Sequence, residues 1–446
     1  MEKSTHYSKE NIPVKEGYDV VVVGGGTSGV IATISALTEG LSVLVIESKN
    51  GLGGSATAAL VSPMMGNNVP GSPRCSIDQL IVQEALKIGG NNPEKKWDFN
   101  PVLTQIVMEK LVAERGGKVL FDTVVIDTVV EDNKLKYVIV SNKGGVQAIG
   151  AKYFIDCTGD ADVCYLSGVE CFSGHHLTGK NQDVSLRFEM GGIDVPTLFE
   201  YIHSFEQAPN KKEKYKEICE EAYSKGILER GDLNVFQAFP LYNKPGCVAF
   251  NCPDMGGRVN VLDPDFLSQK YLEAKQIIYR LSTHLIKYFP GCENGYLANI
   301  ASMMGVRESR RIKAEYILTA DDILHYRKFP DGIAVSNYYM DVHDSGADHR
   351  SKMQYIEADP AERYYEIPFR SLIAFGIDNL LCAGRCSGTD FYAQSTTRIQ
   401  HTCKYMGEAA GIGAALAVKE NKAVRDIDGA KVRKIMADRG VSILAK

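Results

Sequence analysis

Residues 18–47 leave little freedom in how this chain can begin to fold. Tyr18 to Val23 (YDVVVV) is an apolar run of strand length, without the alternation of a strand that has one wet face. It reads as a strand buried on both sides, as in a parallel sheet. Gly24, Gly25, Gly26, Thr27, Ser28 and Gly29 follow at once and supply the pattern GxGxxG. Val30, Ile31, Ile34 and Leu37 then recur at helical spacing, and Gly40 marks the helix stop. Leu41 to Ile46 form a second apolar strand that ends in Glu47. Each part has a physical task. Gly24 permits a tight turn, Gly26 admits a diphosphate close to the backbone, and Gly29 lets helix and strand touch. The helix start at Thr27 and Ser28 offers free N–H groups and a partial positive charge. A carboxylate at Glu47 suits ribose hydroxyls and repels a 2′-phosphate. Strand, glycines, helix, strand and acid in this order define a dinucleotide-binding βαβ unit.

The next segment selects the dinucleotide. After Glu47 and Ser48 comes a second glycine-rich loop with Gly51, Gly53, Gly54, Ser55 and Ala56 (NGLGGSATAALVSP). A plain NAD site needs no such loop, whereas a longer dinucleotide with a flavin end does. Further stretches carry the same implication. They are Phe154 to Asp162 (FIDCTGDAD), Gly305 to Arg311 (GVRESRR), Asn379 to Cys386 (NLLCAGRC), and Thr397 to Cys403 leading into MGEAAGIGAALA. From about Tyr18 to the C-terminus the chain resembles the FAD-dependent oxidoreductase family, flavoproteins of glutathione-reductase type. GxRESRR and GGSATAALVSP are its most specific stretches.

That resemblance implies an α/β fold, with a Rossmann-type FAD-binding domain and an inserted α+β substrate or cap domain. The expected division is a loose leader at 1–17, an FAD-binding domain at 18–168 plus 368–446, and a substrate domain at 169–367. The expected FAD contacts are Gly24, Gly26, Thr27, Ser28, Gly29, Glu47, Ser48, Gly53, Gly54, Ser55 and Ala56. The resemblance adds backbone at Val124 and Val125 toward adenine, then Thr158, Gly159, Asp160, Gly384, Arg385, Arg398 and Gln400. A helix starting near Thr396 would aim its positive end at the flavin, favouring the reduced, anionic form. Gly411 and Gly413 form no second fingerprint, because no strand precedes them; they read as close helix packing.

In a flavoprotein the protein must orient substrate, move one proton and stabilise charge. Arg307 and Arg310, which a helix would place on one face, read either as an anchor for an anionic substrate or as an ion-pair cluster joining two domains. His401 reads as a base or as a packing residue, and Tyr392 as a proton donor or a ring cover. Ser185 to Met190 (SLRFEM) reads as an alternating strand, Asn210 to Arg230 as a solvated helix, and Leu267 to Phe289 as a long helix.

Composition narrows the remaining classes. Fifty basic and 55 acidic side chains give a net charge of −5, so no basic field invites nucleic acid. The polar opening before Tyr18 suggests no secretory leader, and no apolar run reaches membrane-spanning length, so a cytoplasmic protein is expected. Eleven cysteines without a CxxC pair argue against a disulfide framework. Cys382 and Cys386 are not expected to be a redox pair, since one lies in a strand and the other beyond its turn. Metal-ligand spacing is missing, so no metal is expected. The expected partners are a small-molecule substrate, an electron donor or acceptor of unknown kind, and another copy of the chain if it oligomerises. The expected activity is hydride transfer between flavin N5 and a small polar or anionic compound. Reduction of an activated C=C bond, as in fumarate-reductase-like flavoproteins, and a non-redox or electron-carrier role are the alternatives.

Overall fold

The computed structural model describes residues 11–65, 69–95, 97–207, 209–233, 237–257, 259–343 and 355–445. Of the expected leader, 1–10 lie outside these residues. The rest is not loose: the first strand, β1 (Val14–Val23), begins at Val14 and pairs there with Ala148.

β1 is the centre of a seven-stranded sheet. It pairs in parallel with β2 (Val43–Ile46), which pairs in parallel with β3 (Lys118–Leu120). On its other side lies the long β6 (Gly145–Asp156), also parallel. The first half of β6 pairs with β5 (Lys134–Asn142), which turns back on β4 (Val124–Glu131); both contacts are antiparallel. The second half takes up the late strand β17 (Leu380–Cys382) in parallel register, Leu380 beside Phe154. Four chain segments therefore end at one edge: β1, β2, β6 and β17.

The apolar runs explain the layering. Val20, Val22, Val43 and Val45 face one core, and Val21, Val23, Leu44 and Ile46 face another, so the sheet is covered on both sides. α1 (Thr27–Thr38), α2 (Ser76–Lys87) and α3 (Pro101–Glu114) supply residues to the first core, together with α10 (Gln400–Glu420) and α11 (Gly429–Asp438). α4 (Asp162–Leu166) packs into the second. The helix expected to begin near Thr396 is two helices. α9 (Phe391–Thr397) stops, and α10 starts afresh at Gln400.

A third core belongs to a four-stranded antiparallel sheet, ordered β10 (Ala238–Pro240), β11 (Val248–Phe250), β9 (Phe188–Gly191), β13 (Tyr296–Ile300). α7 (Pro264–Tyr288) packs on it, capped by Asp263. α5 (Val195–Gln207) and α6 (Pro209–Ser224) precede it in the chain. One short ladder, β8 (Val184–Ser185) with β12 (Asp254–Met255), joins this core, and another, β7 (Cys171–Ser173) with β14 (Arg310–Ile312), packs on the second core of the large sheet.

Two expectations change here. The SLRFEM run does not alternate between core and water. Residues 184–190 are all buried, including Arg187, which meets the carbonyls of loop 60–62, and Glu189, which pairs with Lys244. Nor is 169–367 one packing unit. The third core ends near Val306, whereas Ile312, Ala314, Leu318, Ile323 and the pair β15 (Gly332–Ser336) and β16 (Tyr365–Pro368) pack into the cores of the large sheet. α8 (Ala320–Leu324), closed by a Thr319 capping box, goes with them.

Among the described residues, no helix is long and apolar enough to cross a membrane. Gly411 behaves as expected: a Cβ there would lie 2.7 Å from the Ala32 carbonyl oxygen of α1, and one at Gly407 would lie 2.3 Å from that of Ser28.

A buried charge triad fastens α2 to α10. Asp78 accepts from Arg74 Nη1 at 2.7 Å and from Lys404 Nζ at 2.6 Å. Burial alone would raise the Asp78 carboxyl; the two cations instead hold it well below the usual carboxylate range. Asp78→Asn, which strands both cations, is expected to cost about 3–5 kcal/mol in urea denaturation at neutral pH. A lowered folded-state pKa contributes stability that is present above the unfolded value, about 4, and lost as pH falls below it. The gap between wild type and variant should therefore narrow in denaturation curves taken at progressively lower pH from about 4.

Candidate functional site

At the edge where β1, β2, β6 and β17 end, the glycines are held by contact. Gly24 has φ +91°, and a Cβ there would lie 2.4 Å from the Cys157 carbonyl oxygen. A Cβ on Gly29 would lie 1.8 Å from the Gly24 carbonyl oxygen. Gly26 is the N-cap of α1, and no side chain caps this helix. A Cβ at Gly26 would approach only Gly54, at 3.9 Å, so the space above it is open. The first-turn N–H groups of Thr27, Ser28 and Gly29 are those a helix leaves unpaired, and they line that space.

The second glycine loop closes over the first. Thr27 Oγ1 meets the Gly53 carbonyl at 3.2 Å and Ser55 Oγ at 2.8 Å. Ala56 is buried at the end of the short turn Gly54–Ala56. Gly384, at φ +114°, sits where a Cβ would lie 2.7 Å from Ser28 Oγ, which joins the last strand to the fingerprint. Ser55 accepts through its carbonyl from Val61 N–H, and the Val61 carbonyl accepts from Gln400 Nε2 at 2.8 Å. α1, the Gly53–Ser55 loop, residues 60–62 and the start of α10 thus form one wall.

Glu47 differs in detail from expectation. Its Oε2 accepts from Gly25 N–H at 2.7 Å, and its Oε1 accepts from Lys49 N–H at 2.8 Å and from Ser48 Oγ at 3.2 Å. A carboxylate offers about four acceptor positions, so one is left for a ribose hydroxyl rather than two. Val124 and Val125 follow Thr123, whose N–H donates to the Glu47 carbonyl, which puts the start of β4 beside this acid. Val124 is half exposed there.

Thr158, Gly159 and Asp160 form the turn after β6. Buried Asp156 braces it by accepting from Thr158 N–H and Oγ1 and from Cys164 N–H. Arg385 locks this turn rather than facing open space. Its Nε donates to the Gly159 carbonyl, its Nη2 to Asp160 and its Nη1 to the Val306 carbonyl.

The arginines of the GVRESRR stretch are not on a helix. Arg310 lies in β14 and Arg307 in the extended approach to it, so they share no helical face. Arg310 Nη1 donates to Asp162 at 2.9 Å, and its guanidinium lies 4.2 Å from the Tyr165 ring centre. Arg311 is spent on Glu308 and on the Gly174 and Thr389 carbonyls. Both serve as ties between segments. His401 is 1% exposed and packs edge-on to Trp97 at 5.8 Å, within α10 rather than at an open surface. Tyr392 pairs its hydroxyl with His175 Nε2 at 2.8 Å.

Arg307 alone of the GVRESRR arginines joins a network that reaches the start of α10. Its Nη1 donates to Asp254 at 2.7 Å; the other Asp254 oxygen meets His343 Nδ1 at 3.3 Å; His343 Nε2 meets Asp341 at 3.2 Å; and Asp341 accepts through its carbonyl from Arg398 Nη2 at 3.1 Å. Gln394 bridges the Arg307 and Arg385 carbonyls to Gln182. Burial raises Asp254, but the His343 hydrogen bond and the Arg307 charge outweigh it and hold the acid below its usual range. Burial lowers Arg398 to about 10, with the charge of Arg307 adding to the effect.

His343 and Asp341 were invisible as site residues, lying in a turn-rich stretch without a motif. Arg187 was hidden inside an apparent strand. Cys382 and Cys386 also come closer than their positions suggest, with sulfurs 3.5 Å apart in the core. Asp156, Cys164 and Cys382 put one ligand-type atom each within 4.8 Å of the others. Burial raises all three groups, which keeps the two thiols protonated.

The residues fit FAD. Two helices start uncapped at the site, α1 and α10. The open cradle at Gly26 admits a diphosphate, and at the far end Gln400 Oε1 and Arg398 Nε are buried without partners. A parallel sheet that gathers such groups at its strand ends defines the class as a Rossmann-type flavoprotein. The chain matches the FAD dependent oxidoreductase family over residues 19–436 and belongs to it; it is an FAD-dependent oxidoreductase.

It is also similar to the thiamine thiazole synthase of Methanococcus vannielii, 28% identical over 188 residues, covering 40% of this chain and 64% of that protein. The Methanococcus aeolicus thiamine thiazole synthase is 31% identical over 180 residues, covering 38% and 61%. The match thus spans less than two thirds of these relatives. Among solved structures, a geranylgeranyl bacteriochlorophyll reductase-like protein of Thermoplasma acidophilum aligns at 14% identity, over 97% of this chain and 87% of that one, with a TM-score of 0.47. p-Nitrophenol 4-monooxygenase PnpA of Pseudomonas putida DLL-E4 aligns at 11% identity, over 97% and 89%, with a TM-score of 0.48.

Glu47→Ala removes the acceptor for buried Gly25 N–H, so FAD affinity of the apoprotein should fall about ten- to a hundred-fold in flavin fluorescence titration. Arg310→Ala should leave flavin content and the rate of flavin reduction unchanged within about two-fold. It should lower stability by no more than about 1 kcal/mol, since the pair is partly solvated.

Proposed function

We propose that this oxidoreductase carries out hydride transfer between flavin N5 and a small polar or anionic organic substrate. The observation that carries this reading is the chain Arg307–Asp254–His343–Asp341–Arg398, which runs from beside the four-stranded sheet to the start of α10. It supplies what such a reaction asks of a protein: a cation for a substrate anion or oxyanion, and a proton-transfer group near it.

In this reading the FAD-binding part is of glutathione-reductase type, and the segment around the four-stranded sheet is an inserted substrate domain. When bound, FAD supplies the two-electron hydride chemistry. The N–H groups of Thr27 to Gly29 would hold the diphosphate and Glu47 the ribose, with Gln400 and the uncapped start of α10 left for the flavin end. Arg307 uses only Nη1 on Asp183 and Asp254, which leaves its other donors for substrate. His343 lies between two carboxylates that fix its ring. It takes or returns the proton at the substrate's polar atom. His401 and Tyr392 give way to His343 because the first is enclosed in α10 packing and the second is turned to His175. The reaction partner that reloads the enzyme with electrons, or drains it, is a separate small molecule or protein.

The test is anaerobic. The holoenzyme is mixed with hydroxy acids, amino acids, sugars and enoates, oxidised or dithionite-reduced, and flavin absorbance is followed. Bleaching or re-oxidation by one class supports the reading. Flavin that responds to none of them, in either redox state, overturns it. His343→Gln should keep its flavin and slow the responsive half-reaction by about a hundred-fold or more.

A further inference from the structure

The hydrogen bonds that join Arg307 to His343 close into a ring. On one side the side chains meet through Asp254, which accepts from Arg307 Nη1 at 2.7 Å and faces His343 Nδ1 at 3.3 Å. On the other side the backbones meet through two glutamines. Gln394 Nε2, in α9, donates to the Arg307 carbonyl at 2.8 Å and reaches the Arg385 carbonyl at 3.4 Å. Gln394 Oε1 accepts from Gln182 Nε2 at 3.0 Å, and Gln182 Oε1 accepts from the His343 N–H at 3.3 Å. Asp183 adds a chord across the ring. Its N–H donates to the His343 carbonyl at 2.9 Å, and its own carbonyl accepts from Arg307 Nη1.

The glutamine bridge can be built in one direction only. Two carbonyls stand at one end and accept without donating; a backbone N–H stands at the other and donates without accepting. Turning either amide round sets oxygen against oxygen or one donor against another. Both side chains are 0% exposed, so a mismatch would leave buried groups unpaired. An apolar pair of the same shape could pack as well. What two buried amides add is a single allowed arrangement.

His343 is a residue that needs such an arrangement. It lies in the stretch 337–343, which is neither helix nor strand, so no ladder fixes its backbone. Its N–H is held by Gln182 and its carbonyl by Asp183 instead. The far end of the bridge rests on Arg307 and on Arg385, which follows β17 at the dinucleotide edge.

We propose that Gln182 and Gln394 are positioning residues, a one-way amide bridge that sets where His343 stands relative to Arg307 and the turn after β17. The proposal rests on the reading of His343 as the proton-transfer group, but the position of its ring is measurable without substrate.

The holoenzyme is labelled with 13C at histidine Cε1, and the His343 ring signal is assigned by its loss in His343→Gln. Gln182→Met, of similar length without either hydrogen bond, should keep its flavin and shift or broaden that signal. With the compound class that reacts with the flavin, it should slow the half-reaction about ten- to a hundred-fold at every pH tested, as expected when a reacting group is misplaced. Gln182→Glu separates positioning from packing. Ionised, it presents oxygen to Gln394 Oε1; protonated, its O–H donates there and its C=O still accepts from His343. Burial raises a carboxyl, and the protonated form is present below the raised value. The rate of Gln182→Glu, divided by the wild-type rate at the same pH, should therefore climb toward one between about pH 9 and about pH 5.5, whereas the same ratio for Gln182→Met stays low. Gln182→Glu serves alone, for rate and ring signal, if the methionine variant does not fold.

A His343 ring signal that Gln182→Met leaves in place overturns the proposal. So does a glutamate variant that does no better than the methionine variant at the acid end, or that, standing alone, shows no climb and no displaced signal at the alkaline end. If the ring moves as expected while His343→Gln keeps the wild-type half-reaction rate, the bridge stands and the proton-transfer reading of His343 fails.

Discussion

The contact between α1 and α10 governs this molecule. Gly407 and Gly411 bring the late helix onto the carbonyl groups of Ser28 and Ala32, closer than any side chain would allow. That approach sets the start of α10 beside the glycine fingerprint although the two lie far apart in sequence. It also draws in β17, since Gly384 seats on Ser28. The dinucleotide wall is therefore made of backbone from both ends of the chain, held by the absence of Cβ atoms. The charge triad of Arg74, Asp78 and Lys404 pins the other flank of α10.

Electrostatics divides the buried arginines into two kinds by use rather than by type. Arg311, Arg310 and Arg385 are spent on carbonyls and carboxylates of nearby turns. Their work is to fix where β6, β14 and β17 end. Arg307, Arg398 and Arg187 keep donor atoms unspent in enclosed surroundings, where an unsatisfied charge is costly and a ligand that satisfies it gains correspondingly. The two kinds lie a few residues apart, so one stretch of chain both braces the fold and keeps unspent donors in enclosed surroundings.

Several residues moved between these roles when the fold was seen. The GVRESRR stretch suits a helix by spacing, yet it runs extended because β14 pairs with β7. The change of geometry separates Arg307 from Arg310 and sends them to different partners. The SLRFEM run looks half-wet because Arg and Glu alternate with apolar residues. Loop 60–62 meets Arg187 and Lys244 meets Glu189, which encloses both charges. No local pattern records such a cover, because the covering loop is distant in sequence.

The nucleotide unit was legible in residues 18–47 because its determinants are local: an uninterrupted apolar strand, glycines at three steric pinch points, a helical apolar spacing and an acid at the next strand's tip. The second glycine loop pointed to FAD for the same reason, as did the glycines of α10 to helix packing. Tertiary structure alone decided which arginines are spent on bracing turns, that His343 stands between two acids, and that β15 and β16 pack with the large sheet. These depend on which distant groups satisfy each charge. A hydrogen bond or ion pair formed across two hundred residues leaves no periodicity in the chain, whereas the steric demands of a turn are written in its own residues.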